Sequence, residues 1–253
     1  MKSVKISTIP GLDKPDGYMV KNDTLPGEIE GLEMVYYAIK GERDITEAAQ
    51  FDFYDVLLSL SGRAVLEVGE RDYDFGPLAI VRIPYEGLYR IKIKKNDDFS
   101  FIRLRKILDK YDRQLISQHR QSHSSIYIKE IADCPAYTED IKSSKTLNRM
   151  LLPEGLVPRF CMGSVETEGP DEVAEHEHPM LDQLFFGLDG CKCTCHADGE
   201  QTLLTENMML HIPLGSKHSI SVKAGDTLTY IWFDLFLTLE GQKYMSEQHQ
   251  IDD

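Results

Sequence analysis

The chain has 253 residues and a formal net charge of −14. This excess of acidic residues argues against nucleic acid and anionic membrane surfaces as partners, because both need cations to neutralise their phosphates. The sequence has no apolar run long enough to span a bilayer and no apolar signal-peptide core at its N-terminus, so we expect a cytoplasmic protein. The five cysteines are an odd number and are expected to be free thiols.

The first half of the chain has the pattern of a β-barrel preceded by a leader. Residues 1–33 are polar and rich in turn residues, which predicts a leader segment. Short runs of strand-forming residues then follow at close, even spacing, which is typical of an all-β sandwich or barrel over residues 34–105. These runs are Met34–Ile39, Phe51–Leu60, Ala64–Val68, Ile80–Ile83, Leu88–Ile93 and Phe99–Leu104.

A helical pattern separates this barrel from the rest. Apolar residues recur at helical spacing between Lys106 and His119, which predicts a helix within a connector of residues 106–125. Residues 126–253 are predicted to form a second barrel. It opens with an irregular stretch, about 126–156, and continues with strands at Arg159–Val165 and Tyr230–Leu237.

The second half carries a set of metal-ligating residue types. His176 and His178 lie two residues apart, so on a strand their side chains share one face. Gln183 follows five residues later, and His218 comes after a Pro-Leu-Gly turn. If the chain folds back as a sheet, these four side chains can converge on a divalent transition metal. Asp182 is the alternative oxygen donor.

The two halves resemble each other. Arg82–Ile91 matches His211–Ile220, and Asp55–Gly62 matches Gln183–Gly190, which indicates a duplicated domain. In this alignment His176 falls on Ala48, His178 on Gln50, Gln183 on Asp55 and His218 on Tyr89. Because the first half lacks the histidines, we predict that only the second barrel binds a metal.

These residues resemble the two motifs of the cupin superfamily, and the whole chain resembles a bicupin. The first motif is carried by His176, His178, Gln183 and Gly190, and the second by Pro213, Gly215 and His218. The chain departs from the family at Gln183, where Glu is more common, and at Asn207, where Gly is usual. The resemblance implies an all-β fold of two tandem cupin barrels (double-stranded β-helix or jelly roll) joined by a short helical connector.

The ligand set indicates a chemical role. Three imidazoles and an amide are neutral, so an anionic substrate oxygen or a hydroxide would balance the charge of the ion. This favours one divalent ion per chain (Mn, Fe, Ni or Zn) acting as a Lewis acid on a sugar acid, hydroxy acid or keto acid. The reaction would be isomerase-, lyase- or dioxygenase-like. The alternative is a non-catalytic cupin that binds a small molecule or a metal. We also expect a homodimer.

The sequence leaves the roles of several neighbouring residues open. Strand alternation predicts that four charged residues face away from the ligands, and that Phe185 either walls the pocket or fills the barrel. The four are Glu175, Glu177, Asp182 and Lys217. Three alternating cysteines are expected to be small core residues rather than a thiolate metal site. They are Cys191, Cys193 and Cys195, and the repeat aligns them either with Ala64, Leu66 and Val68 or with Arg63, Val65 and Glu67.

Overall fold

A computed structural model of the chain describes residues 4–9, 19–246 and 250–251. The described chain forms two compact units. The N-terminal unit extends to Asp133, and the C-terminal unit contains residues 4–9 together with the chain from Cys134 onward. Both units consist mainly of antiparallel sheets, which confirms the predicted all-β fold class. No helix in the described part of the chain is long and apolar enough to cross a membrane.

The first described strand, β1 (Lys5–Thr8), pairs within the C-terminal unit. The N-terminal unit contains β2 (Met19–Asp23), β3 (Leu32–Lys40), β4 (Arg43–Ala49), β5 (Phe53–Gly62), β6 (Ala64–Val68), β7 (Arg71–Phe75), β8 (Ala79–Arg82), β9 (Gly87–Ile93), β10 (Asp98–Ile107), α1 (Lys110–Gln118), α2 (Arg120–His123) and β11 (Tyr127–Glu130). One sheet has the order β11-β8-β5-β10-β3-β2 and the other β4-β9-β6-β7. Their inward apolar side chains form one core.

A short 3-10 turn at Ile131–Asp133 leads to the C-terminal unit. This unit contains β12 (Ala136–Thr138), β13 (Leu147–Val157), β14 (Phe160–Glu168), β15 (Asp171–His176), β16 (Leu181–Gly187), β17 (Lys192–Ala197), β18 (Glu200–Thr205), β19 (Met208–Ile212), β20 (His218–Val222), β21 (Thr227–Phe236), α3 (Leu239–Ser246) and β22 (Gln250–Ile251). The larger sheet has the order β1-β19-β16-β21-β14-β13-β12-β22, and the smaller one β15-β20-β17-β18.

The two units share one strand order, as the internal repeat predicts. The order β8-β5-β10-β3-β2 in the first unit corresponds to β19-β16-β21-β14-β13 in the second. Even the outer strands correspond, because β11 pairs with β8 and β1 pairs with β19. Duplication of the domain therefore extends beyond the aligned motifs to the edge strands.

The leader and the connector contribute to the sheets in ways that the sequence pattern missed. Within the predicted leader, β1 pairs with β19 and β2 pairs with β3. The predicted helix begins only at Lys110, because Lys106 and Ile107 continue β10 in its ladders with neighbouring strands. Asp109 then starts the helix by accepting hydrogen bonds from the backbone of Tyr111 and Asp112. The ladder hydrogen bonds outweigh the local helical periodicity.

Two glycines at equivalent places in the repeat provide a test of this packing. Both Gly62 (φ 76°) and Gly190 (φ 75°) are left-handed, but only at Gly62 would a Cβ collide, 1.7 Å from the carbonyl oxygen of Asp98. We expect Gly190→Ala to cost about 1 kcal/mol through backbone strain alone. Gly62→Ala should cost at least about 2 kcal/mol more, because the sheet must open. Urea unfolding of both variants measures this, and equal losses would contradict the clash.

Candidate metal centre

The structure brings the three motif histidines together. His176 at the end of β15 pairs with His218 at the start of β20, and His178 follows two residues after His176. Ring centroids are 4.2 Å apart for His176 and His218, 4.8 Å for His176 and His178, and 5.5 Å for His178 and His218. One nitrogen of each lies within 4.8 Å of the other two. Among the described residues, this is the only group of histidines, cysteines and carboxylates with such a geometry.

Backbone carbonyls orient two of these rings. Nδ1 of His218 lies 3.0 Å from the carbonyl oxygen of Ser216, and Nδ1 of His176 lies 2.7 Å from that of Ala174. A carbonyl oxygen only accepts hydrogen bonds, so each Nδ1 carries the proton and each Nε2 keeps its lone pair. Nε2 of His218 is buried and has no hydrogen-bond partner. This tautomer is the one in which a histidine binds a metal through Nε2.

Gln183 is oriented by a carboxylate on the neighbouring strand. Its Nε2 donates to Oδ1 of Asp234 at 2.8 Å. Because an ionised carboxylate can only accept, the amide nitrogen must face Asp234, and the oxygen Oε1 is left buried without a partner. Asp182, the alternative donor, instead accepts hydrogen bonds from Nε2 of His211 at 3.1 Å and from the backbone of Leu214 at 3.2 Å. Gln183 lines the cavity of the histidines, and Asp182 does not.

Burial favours the neutral form of two of the three histidines. Burial lowers the pKa of His218 to about 4, and the nearby His176 lowers it further than burial alone would. Burial also lowers the pKa of His176. A metal competes with protons for imidazole nitrogens, so neutral rings favour binding of an ion. Three imidazoles and a buried, unpartnered amide oxygen are a donor set that fits a divalent transition metal.

The cavity beside these residues measures about 220 Å³. Besides the four predicted ligands, its lining includes charged and aromatic residues that no sequence motif indicated: Glu139, Asp140, Lys142, Tyr230, Trp232 and Asp234. Asp234 gives one signal in the sequence, because it interrupts an otherwise apolar strand. Glu139 and Lys142 lie in a stretch with no recognisable pattern, about 40 residues before the histidines by the numbering, so only the folded chain places them here.

The other residues singled out in the sequence are distributed around the cavity. Phe185 lines it, with its ring 5.9 Å from that of His218. Glu177 also lines it, contrary to the prediction from strand alternation, because β15 ends at His176 and the alternation ends with it. Glu175 and Lys217 are not among the lining residues.

The three alternating cysteines are buried in the barrel core, as the interpretation of small core residues predicts. In the ladder between β17 and β18, Cys193 pairs with Leu204. At the equivalent place in the ladder between β6 and β7, Ala64 pairs with Phe75, so Cys193 occupies the position of Ala64. By the same comparison Cys195 occupies the position of Leu66. Both alignments drawn from the sequence are therefore out of register, since each placed the cysteines one or two positions further along β6.

The N-terminal barrel has a different set of residues at the equivalent place. Asp55 pairs with Arg105 as Gln183 pairs with Asp234. Glu47 pairs with Tyr89 as His176 pairs with His218, so the sequence alignment of His176 with Ala48 is wrong by one residue. The shift arises because the ladder of β15 has an irregularity between Val173 and His176 that is not found in β4.

These residues form an ion network with no room for a ligand. Asp55 accepts hydrogen bonds from Nε and Nη2 of Arg105 at 2.7 and 2.8 Å and from the hydroxyl of Tyr89 at 2.9 Å. Glu47 accepts one from Arg103 at 2.9 Å. The space among Glu47, Tyr89 and Arg103 has a volume of about 0 Å³. Guanidinium groups thus supply the positive charge that a metal would bring.

The sequence itself matches no family model and no curated protein. Solved structures are similar over nearly the whole chain. A protein described as glyoxylate-induced from Pseudomonas aeruginosa has a TM-score of 0.74 at 12% identity, covering 94% of this chain and 93% of that one. A cupin 2 conserved barrel domain protein from Leptotrichia buccalis has a TM-score of 0.59 at 13% identity, covering 88% and 91%. The oxalate decarboxylase of Bacillus subtilis has a TM-score of 0.61 at 13% identity, covering 91% and 77%.

These likenesses confirm the fold that the motifs suggested: the chain consists of two cupin barrels in tandem. At identities of 12–13% they show the fold alone. The reaction and the substrate have to be argued from the cavity itself.

The buried ion network of the N-terminal barrel can be tested against an exposed pair. Asp55 is 1% exposed, and Asp55→Asn would remove the closer of the two carboxylates paired with Arg105, leaving only Glu47 at 3.7 Å, so we expect a loss of about 3 kcal/mol. Asp72→Asn removes an exposed partner of Lys92 and should cost less than about 1 kcal/mol. Urea unfolding measures both losses. Metal content should not change in either variant, and a loss of metal in Asp55→Asn would contradict a metal-free first barrel.

The lowered pKa of His218 makes the metal-free protein sensitive to acid. The unfolded chain takes up a proton near the ordinary pKa of 6.5, whereas the folded chain resists it down to about 4. Stability is therefore complete above pH 6.5 and falls as the pH drops towards 4, by up to about 3 kcal/mol from this group. His218→Gln should remove this pH-dependent part of the free energy of unfolding, whereas His119→Gln, at an exposed position, should retain it. Urea unfolding in the presence of a chelator at pH 7 and pH 5 compares them.

Proposed function

We propose that the C-terminal barrel binds one divalent metal ion, Mn, Fe, Ni or Zn, through His176, His178, His218 and Oε1 of Gln183. The ion would act as a Lewis acid on a small, oxygen-rich organic acid such as a sugar acid, hydroxy acid or keto acid. The main support is the pair of buried acceptors without partners, Oε1 of Gln183 and Nε2 of His218, beside converging imidazoles. Unpaired buried acceptors are costly, and a bound cation removes that cost.

The charges inside the cavity favour a monoanionic substrate. The four proposed ligands are neutral, so a divalent ion contributes its full charge of two. Lys142 adds one positive charge, and Glu139 and Asp234 subtract one each, which leaves a single positive charge to be balanced. A monocarboxylate supplies that balance. The exposed Asp140 and Glu177 at the rim disfavour more highly charged anions.

The titratable lining favours an enzyme over the alternative of a non-catalytic binding protein. A cavity that only holds a ligand needs no acid or base, and dioxygen chemistry at a metal needs none from the protein. Here Glu139, Lys142 and Asp234 line the same cavity as the histidines. Groups that can accept or donate a proton beside a Lewis acid support isomerase- or lyase-like chemistry. The fold of oxalate decarboxylase, shared at low identity, is compatible with a small carboxylic acid as substrate.

Two expectations from the sequence accompany this proposal. A homodimer and a cytoplasmic location are both compatible with the acidic composition of the chain. Light scattering at several protein concentrations gives the oligomeric state, and a mass equal to a single chain at all of them would exclude the dimer.

The metal site is tested by binding to the purified protein after chelator treatment. Trp232 is the single tryptophan of the chain and lines the cavity, so paramagnetic Co²⁺ or Ni²⁺ should quench its fluorescence with a stoichiometry of about one. His176→Ala combined with His178→Ala should abolish both the quenching and the bound metal found by elemental analysis. Gln183→Leu should weaken binding by about 10-fold or more.

Two matched variants separate the site from general effects. Asp182→Asn should bind metal normally, because Asp182 bonds to His211 and Leu214 rather than facing the cavity. His196→Ala removes a histidine outside the group and should also bind normally. Undiminished metal in the double histidine variant would refute the site. Loss of metal binding in Asp182→Asn but not in Gln183→Leu would identify Asp182, rather than Gln183, as the fourth ligand.

A further inference from the structure

A turn at residues 139–142 is fixed beside the histidines by its backbone. Lys142 forms a β-bridge with Val173, and the backbone nitrogen of Ala174 donates to the carbonyl oxygen of Ile141 at 2.9 Å. Both contacts are to β15, two or three residues before His176. The position of this turn relative to the proposed metal is therefore set by main-chain contacts and does not depend on its charged side chains.

The side chains of this turn form a buried ion pair that faces the cavity. Nζ of Lys142 lies 2.5 Å from Oε2 of Glu139, and the two side chains are only 5% and 13% exposed. The ammonium also lies 5.5 Å from the ring centre of Tyr137 on β12. Both charged residues line the cavity that the three histidines line.

The stability of the fold does not explain why this ion pair is buried. A buried ion pair is often no more stabilising than apolar residues of the same size, because desolvation offsets the attraction. The main chain already holds the turn. The ion network of the N-terminal barrel, in contrast, leaves about 0 Å³ of space, whereas Glu139 and Lys142 border about 220 Å³. A desolvated acid–base pair beside an open space is the arrangement expected where a proton is transferred.

The charged surroundings favour Glu139 as the group that accepts the proton. Burial lowers the pKa of Lys142, while the charges of Glu139 and of Asp234 on β21 act in the opposite direction. The ammonium of Lys142 is ion-paired with Glu139. Asp234 is already engaged by the amide of Gln183. The groups that face this pair from the elements around it are Tyr137 on β12, His176 on β15, and Tyr230 and Asp234 on β21.

We infer that Glu139 is the general base of this cavity, that Lys142 positions it and keeps it ionised, and that the substrate is a small keto-acid monoanion with a C–H bond beside its carbonyl group. This inference rests on the proposed function, because the carbonyl oxygen needs a Lewis acid beside it. The class of reaction is a proton shift, as in an isomerase.

The step balances without any co-reactant. The C–H bond breaks, its proton passes to the carboxylate of Glu139, and its electron pair forms a C=C bond as the carbonyl oxygen takes the negative charge. Glu139 then returns the proton to the carbonyl oxygen, which gives the enol. Where the first carbon carries a hydroxyl group, Glu139 can instead return the proton to the former carbonyl carbon while the hydroxyl proton passes to the former carbonyl oxygen and a C=O bond forms at the first carbon. Either course leaves the base as it began. Oxidation states of the molecule as a whole do not change, so no oxidant or reductant is required.

The test uses the metal-loaded protein with hydroxypyruvate and pyruvate as probes in deuterated buffer. Binding is followed by the fluorescence of Trp232, and exchange of the C–H hydrogens is followed by NMR. We expect saturable binding and exchange above that of free metal ion. Glu139→Gln should retain metal and probe binding but lose exchange by about 100-fold or more.

Lys142→Met supplies a readout that a purely structural role would not change. Without the ammonium, a buried carboxylate is harder to ionise, so exchange should be lost at neutral pH and partly regained at higher pH. Lys142→Arg should largely preserve exchange at neutral pH. Lys145→Met and Glu172→Gln, at exposed positions nearby, should leave metal content, binding and the pH profile unchanged.

The outcomes distinguish this inference from the proposed function. If no metal binds, the proposed function fails first, and elemental analysis reports that directly. If metal binds but neither probe changes the fluorescence of Trp232, the substrate class is wrong. If a probe binds and Glu139→Gln exchanges as fast as the parent protein, or the parent does not exchange at all, Glu139 is not the base.

Discussion

One hydrogen bond sets the character of the C-terminal barrel. Nε2 of Gln183 on β16 donates to Asp234 on β21, and because a carboxylate only accepts, the amide oxygen is left unpaired. The same two positions in the N-terminal barrel are Asp55 and Arg105. Where β16 carries the neutral amide of Gln183, β5 carries the carboxylate of Asp55. Where β21 carries the carboxylate of Asp234, β10 carries the guanidinium of Arg105, which is always charged. The substitution of this one pair replaces an unpaired amide oxygen, which is a potential cation ligand, by a carboxylate that is already paired with a guanidinium.

The duplicated scaffold makes this contrast informative. Both barrels have the same strand order, and Tyr89 stands where His218 stands. The fold therefore needs neither a histidine triad nor a metal to close the barrel. In the first barrel the carboxylates of Asp55 and Glu47 and the hydroxyl of Tyr89 are all engaged with other protein groups, and the volume is close to zero. In the second, two acceptors stay unpaired and a cavity remains, which is an energetic cost that a ligand can offset.

The fold was largely predictable, because strand formation is a local pattern. The runs at Met34–Ile39, Ala64–Val68 and Leu88–Ile93 lie within β3, β6 and β9. Errors arose where long-range pairing decided the outcome. Lys106 and Ile107 have helical periodicity, yet pairing with two neighbouring strands keeps them in β10. The irregularity in β15 shifted the true equivalent of His176 from Ala48 to Glu47, and a single-residue shift of this kind leaves no mark in sequence composition.

The sequence by itself determined the all-β class and the duplication, through runs of strand-forming residues and a repeated turn. It also predicted that His176, His178 and His218 converge if the chain folds back as a sheet. Only the tertiary structure shows that Gln183 lines the cavity and Asp182 does not, because this depends on which partner, Asp234 or His211, each side chain meets. Only the tertiary structure brought Glu139 and Lys142 to the cavity. Contacts between segments distant in the chain follow from sheet pairing, and no local pattern of residues contains them.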